Sequence, residues 1–224
     1  MDQEVAKLKE MMTEVEITKA ASMEFCKGKL NGTEAVVVRA GVGKVNAACC
    51  TQALIDHFPV SCVINTGIAG SLQASIDIGD IVLATDALEH DMDAVSFGYG
   101  LGQIPGMEVF SFTADEKLRK IAKEGCEKVN PDISVHEGRV VTGDQFLSSK
   151  EKKTWLVEHF DGCCTEMEGA AIAHVAYLNQ IPFLIVRAIS DKADDSAHMD
   201  YPTFEAKAIE HSVRLITEMA GRLA

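Results

Sequence analysis

Apolar runs of strand length alternate along this chain with stretches in which apolar residues recur at helical spacing. In EVAKLKEMM, Val5, Leu8 and Met12 share one helical face, so the spacing predicts an N-terminal helix. SMEFCKGKLNGTEAVVVRAG reads as two strands joined at Asn31-Gly32, a pair suited to the positive φ angles of a tight hairpin. A helical stretch from Lys44 to His57 follows, and then a buried strand in CVINTG. DIVLA is a strand, DEKLRKIAKEGCEKV an amphipathic helix ending before Pro131, and ISVHEGRVVTG a strand again. KEKKTWLVEHF and EGAAIAHVAYLNQ read as helices, PFLIVRAIS as a strand apolar on both faces, and the last twenty residues as a helix.

Strand-helix alternation with continuous apolar strands predicts an α/β fold: a mixed, mostly parallel central sheet flanked by helices, to which the hairpin adds antiparallel members. No linker, repeat or low-complexity segment interrupts the 224 residues, so one domain spanning 1–224 is expected. In open sheets of this type ligands collect beyond the carboxyl ends of strands. Four segments stand there: AGVGK, NTGIAG, TGDQF and SDKADD.

Composition narrows the function classes. A net charge of -13 argues against a nucleic-acid surface, which needs clustered Lys and Arg. No apolar run has the length of a membrane span, and the charged opening MDQEVAKLKE is unlike a signal peptide. The seven cysteines include no CxxC pair; Cys49-Cys50 and Cys163-Cys164 are adjacent pairs in apolar surroundings, which suits reduced thiols in a cytoplasm.

Several motifs have to be weighed. Gly41 and Gly43 lie between a strand and a helix, but Asn46 stands where a dinucleotide fingerprint needs its third glycine. The glycines still allow backbone to approach a ligand closely, or simply make a tight turn. NTGIAGS reads as a glycine-rich turn after a buried strand. His90, Asp91 and Asp93 are neighbours that do not aim at one ion, with no second cluster to complete a metal site. Phe97 and Tyr99 belong to a loop that lends aromatic surface to a pocket or partner, and His174 reads as a core histidine. Three carboxylates remain: Asp191 after a strand, Glu168 at the start of a small-residue helix whose macrodipole favours the ionised form, and Glu4 before the first helix. Glu166 and Glu168 flank Met167; residues two apart share one side of a strand but not one face of a helix.

VINTGIAG, DIGDIVLATDALEHDMDAVSFGYGLGQIPG, VTGDQFL, TEMEGAAIAHVAY and IPFLIVRAISDKAD closely resemble the bacterial 5′-methylthioadenosine/S-adenosylhomocysteine nucleosidases of the purine nucleoside phosphorylase superfamily. The resemblance covers essentially the whole chain. It implies a nucleoside phosphorylase-like fold, normally a homodimer, that hydrolyses the N-glycosidic bond of a 5′-thio-substituted adenosine to adenine and a thioribose, with no cofactor or metal. Asp191 then resembles the general acid for purine N7, which requires its pKa to lie above the free-Asp range; Ser190 stands beside it. Glu4 resembles the base that activates water. Glu168 resembles the acceptor of ribose hydroxyls, with Met167 on the sugar, Phe146 over the adenine and the Leu147 backbone at its edge. Arg187 and Phe204 match positions near the site. Phe97, Tyr99, Pro105 and Val42 match a pocket for the 5′ substituent, partly supplied across the dimer. Glu166 is left as a supporting charge.

The resemblance also implies a short apolar strand ahead of MDQEV. Met1 stands where that strand has already ended, so the expected fold lacks the family's first strand. Ile68 replaces a serine found in some relatives. Two other readings stay open. One is a phosphorylase-type transferase, disfavoured because MDQEVAK and NTGIAGS contain no Arg for a phosphate dianion. The other is a nucleoside-binding protein of reduced activity. Among nucleosidase substrates, deoxyadenosine and aminofutalosine-type nucleosides remain alternatives.

Overall fold

A computed structural model describes residues 2–193 and 197–223. In chain order it holds α1 Asp2–Glu10, β1 Met12–Ala20, β2 Met23–Leu30, β3 Thr33–Val37, α2 Lys44–His57, β4 Val63–Ser71 and β5 Ile81–Glu89. There follow a 3-10 turn Val95–Phe97, β6 Phe112–Thr113, α3 Glu116–Val129, β7 Val135–Thr142, α4 Lys150–Phe160, β8 Gly162–Glu166, α5 Gly169–Leu178, β9 Phe183–Asp191 and α6 Ala197–Arg222.

The central sheet runs β6-β5-β7-β8-β4-β9, and β9 pairs back onto β5. β4–β9, β5–β7 and β7–β8 are parallel; β4–β8, β5–β6 and β5–β9 are antiparallel. The sheet therefore closes into a ring of β5, β7, β8, β4 and β9. This explains the sequence of β9, in which every residue from Phe183 to Asp191 is buried. A strand covered on both faces inside a closed ring has no position at which a solvated side chain fits.

Two expectations about elements need correction. The first helix ends at Glu10, and Met12 begins β1, antiparallel to β2. Its alternating Val15 and Ile17 are 44% and 59% exposed, so pairing rather than burial holds this edge strand, which the apolar pattern did not reveal. NTGIAGS is strand, not turn: β4 runs to Ser71 and pairs with β9 as far as Gly70, Gly67 opposite Arg187 and, after a register shift, Gly70 opposite Asp191. These positions stay bare because a Cβ on Gly67 would lie 2.7 Å from Arg187 Nη1, and one on Gly70 2.7 Å from Asp191 Oδ1.

The hairpin forms as expected, with Asn31 at φ 49° and Gly32 at φ 86°, but it does not join the central sheet. β1, β2 and β3 make a separate antiparallel sheet. Among the described residues β3 pairs only with β2, and no strand links it to β4. An apolar slot opens there, lined by residues 33–38, residues 62–70, Leu8, Leu54 and Ile216. Among the described residues no helix is long and apolar enough to cross a membrane.

Candidate active site

The slot is part of a single cavity, about 900 Å³ in all, into which the four strand-end segments open. Glu4, Val42, Phe146, Met167, Glu168, Arg187, Ser190 and Asp191 all line it. Ligand cavities run from roughly 300 to 1,000 Å³, so this one has ample room for a nucleoside.

Asp191 ends β9 and is buried. Its Oδ2 accepts from the Ser190 hydroxyl at 2.9 Å and its Oδ1 from Ala193 N at 2.8 Å. Glu4 lies in the first turn of α1 rather than ahead of it, and only 1% of it is exposed. Its Oε1 accepts from the hydroxyls of Thr66 and Ser212, both at 2.7 Å. The first helix is thus pinned to β4 and α6 through the very carboxylate that faces the cavity.

Glu168 occupies the N-cap position of α5, yet its side chain makes no capping bond. Its Oε1 instead accepts from Gly43 N at 2.9 Å. The glycines of AGVGK serve this approach: Gly43 has φ 88°, and a Cβ on it would lie 2.9 Å from Asp144 Oδ1. Asn46, in place of a third fingerprint glycine, closes the loop by donating to Val42 O at 2.6 Å. The macrodipole expected to favour ionised Glu168 is opposed by its surroundings. Burial, and then the negative charge of Glu166, raise its pKa above the ordinary carboxylate range.

Beneath Glu168 lies a buried ion pair between Glu166 and Arg187. Arg187 also donates to Asn65 Oδ1, and Glu166 accepts from the Thr142 hydroxyl. Arg187 lines the cavity but spends its Nη2 on these partners.

Other expected site residues stand apart. Phe97, Tyr99, Pro105, Leu147 and Phe204 do not line this cavity. The Leu147 side chain packs with Leu72, Val141 and Leu156 in a second core cluster, which leaves only its backbone for a ligand. Phe97 is 83% exposed on its 3-10 turn. Ile68 lines the cavity, so its wall carries a methyl surface at that point. The His90-Asp91-Asp93 run is dispersed: Asp91 pairs with Lys44 Nζ at 2.7 Å and Asp93 accepts from Val95 N. The His90 ring lies buried against Gly143. Lys44 also meets Glu89 at 2.9 Å, and His174, stacked on Phe112, lies 3.6 Å from the same carboxylate.

The chain matches the Phosphorylase superfamily over residues 1–220. The chain belongs to this superfamily. Among its phosphorylase-superfamily relatives, a protein of Exiguobacterium sp. (strain ATCC BAA-1283 / AT1b) named 5′-methylthioadenosine/S-adenosylhomocysteine nucleosidase is 39% identical over all of this chain and 95% of that one. The nucleosidase of that name from Neisseria meningitidis, solved with methylthio-immucillin-A, superposes with a TM-score of 0.95 at 36% identity, over 99% of this chain and 96% of that one. The Colwellia psychrerythraea 34H enzyme, solved with adenine, gives 0.95 at 37% over 100% and 92%. A futalosine hydrolase of Helicobacter pylori gives 0.93 at 32% over 99% and 94%.

Several residues of this cavity and its supports carry no signal in the sequence: Thr66 and Ser212 around Glu4, and Thr142 and Asn65 around the ion pair. Ser212 stands 208 positions from Glu4, and no local pattern joins them. Gly43 was noticed, but as a ligand-approach or turn glycine rather than as the donor to Glu168.

Proposed function

We propose that this chain hydrolyses the N-glycosidic bond of 5′-methylthioadenosine and S-adenosylhomocysteine, releasing adenine and a thioribose product. The observation that carries the reading is one cavity lined by two buried carboxylates, Asp191 and Glu4, together with the half-buried Glu168. An adenine anion is a poor leaving group, so Asp191 delivers a proton to N7 as the bond from N9 to the anomeric carbon breaks. The bonding pair passes to the purine, and the sugar gains oxocarbenium-like charge. Water adds to that carbon, losing its proton to Glu4; this is the acid-plus-base division of glycoside hydrolysis. Glu168 accepts the ribose hydroxyls, Met167 packs on the sugar and Phe146 covers the base.

Hydrolysis is favoured over phosphorolysis because the arginines lining the cavity among the described residues are engaged. Arg187 pairs with Glu166, and Arg39 with Asp2 at 2.9 Å. The exposure of Phe97 and Val45, 83% and 74%, supports a homodimer in which the loop of Phe97, Tyr99 and Pro105 completes the 5′ pocket of the other copy. Seven free cysteines fit a reducing cytoplasm.

Adenine release from 5′-methylthioadenosine, followed by absorbance with and without phosphate, tests the reaction. We expect turnover independent of phosphate, and Asp191→Asn to lower kcat by about a thousandfold or more with substrate affinity within a few-fold. 5-Methylthioribose 1-phosphate as product would establish a phosphorylase instead, and binding without release a nucleoside-binding protein. The likeness to a futalosine hydrolase makes an aminofutalosine-type nucleoside the second substrate to assay. Sedimentation equilibrium showing only monomer at assay concentration would remove the dimer.

A further inference from the structure

Glu166 and Glu168 stand two apart, one closing β8 and the other in the N-cap position of α5. An N-cap side chain, typically that of Ser, Thr, Asp or Asn, accepts from the N–H of the second or third helical residue. Glu168 does not, and Glu166 and Thr142 hold the N–H groups at this end of α5. Glu166 Oε2 accepts from Gly169 N at 2.7 Å and from Glu168 N at 3.1 Å. The Thr142 hydroxyl oxygen accepts from Ala170 N at 2.8 Å while donating to Glu166 Oε1. Close approach depends on Gly169, where a Cβ would come within 3.1 Å of both Glu166 oxygens. Arg187 balances the charge from the opposite side. Thr142 therefore holds the capping donor Ala170 N, Glu166 holds the backbone N–H of Glu168 and of Gly169, and the Glu168 carboxylate turns to Gly43 N and the cavity.

We propose that Glu166, with Thr142, is a positioning residue for the reaction: by fixing the Glu168 backbone and the first N–H groups of α5 it aims the Glu168 carboxylate at the ribose hydroxyls. This rests on the nucleosidase reading above. A merely structural Glu166 would, when replaced, lower stability and total activity without changing how the ribose hydroxyls are distinguished.

The test compares kcat/KM for 5′-methylthioadenosine with that for its 2′-deoxy and 3′-deoxy analogues, in the full-length chain. Glu166→Gln is expected to cut the preference for the intact diol about tenfold, because loss of an aligned hydrogen-bonding partner is felt mainly by the substrate that uses it. Thr142→Val is expected to follow it, and Thr142→Ser to restore the preference. In a Glu168→Gln background, Glu166→Gln should change kcat/KM less than about threefold, as expected of residues acting through one group. An unchanged diol preference in Glu166→Gln and Thr142→Val, or full multiplication of the two losses in the double variant, overturns the proposal. Should Glu166→Gln fail to fold, as read by circular dichroism, Thr142→Val carries the same comparison without stranding the charge of Arg187. A wild-type chain that releases no adenine would refute the nucleosidase reading alone; diol preference measured as Kd by calorimetry would then decide the role of Glu166.

Discussion

Glu168 shows how an environment can reverse what a position suggests. A helix N-terminus favours a negative charge by a fraction of a kcal/mol to about one, but here burial and the neighbouring carboxylate of Glu166 act against ionisation and win. Because the folded-state pKa lies above the unfolded one, the folded protein binds the extra proton between the two values. Its stability relative to a chain without this acid then declines as pH rises from the ordinary carboxylate range through the folded value. Glu168→Gln removes that penalty. The melting temperature of the variant minus that of the wild type should therefore grow more positive from about pH 4 towards pH 7. A difference independent of pH would show that Glu168 ionises without cost. At this scale the sequence was partly readable. Asp191 and Glu168 stand out because each ends or begins an apolar element, where a charge needs a reason. The partners of Glu4 did not, since Thr66 and Ser212 meet it only after folding brings distant elements together.

Elements were legible where their signals are local. α2 is legible as roughly Lys44 to His57, and the structure gives those bounds, with Gly43 at φ 88° before it and Phe58-Pro59 after it. β1 was missed because its two faces are both largely solvated, so alternation carries no burial signal. β4 was cut short because its glycines imitate a turn; only the ladder to β9 shows that they make room for Arg187 and Asp191. Gly43 is the element boundary with the sharpest requirement. Gly43→Ala places a Cβ 2.9 Å from Asp144 Oδ1 on a backbone with φ 88° and ψ 163°. Strain of this kind costs about 1–3 kcal/mol, and relief requires moving the N–H that Glu168 accepts. Urea denaturation should show a loss of that order, accompanied by a fall in kcat/KM. Loss of stability with unchanged kinetics would mean that the Gly43–Glu168 bond does not matter to turnover.

For the whole molecule, alternating strands and helices were enough to assign the α/β class, since strand composition reports two-sided burial. Neither the return of β9 onto β5 nor the separation of the hairpin sheet could be read, because both depend on which strand edges meet rather than on which faces are apolar. The open edge between β3 and β4 bears on how the protein should behave in solution. Its apolar slot and the nucleoside cavity are a single space. An environment-sensitive fluorophore such as anilinonaphthalene sulfonate, ordinarily a reporter of loosened packing, should light up on the native protein at room temperature and be displaced by saturating 5′-methylthioadenosine. Native protein as dark as a sealed globular control would show that the slot is closed in solution. If the dye does bind, emission falling before any unfolding would report ligand occupancy, so inhibitors could be screened at constant temperature from the baseline of a melting curve.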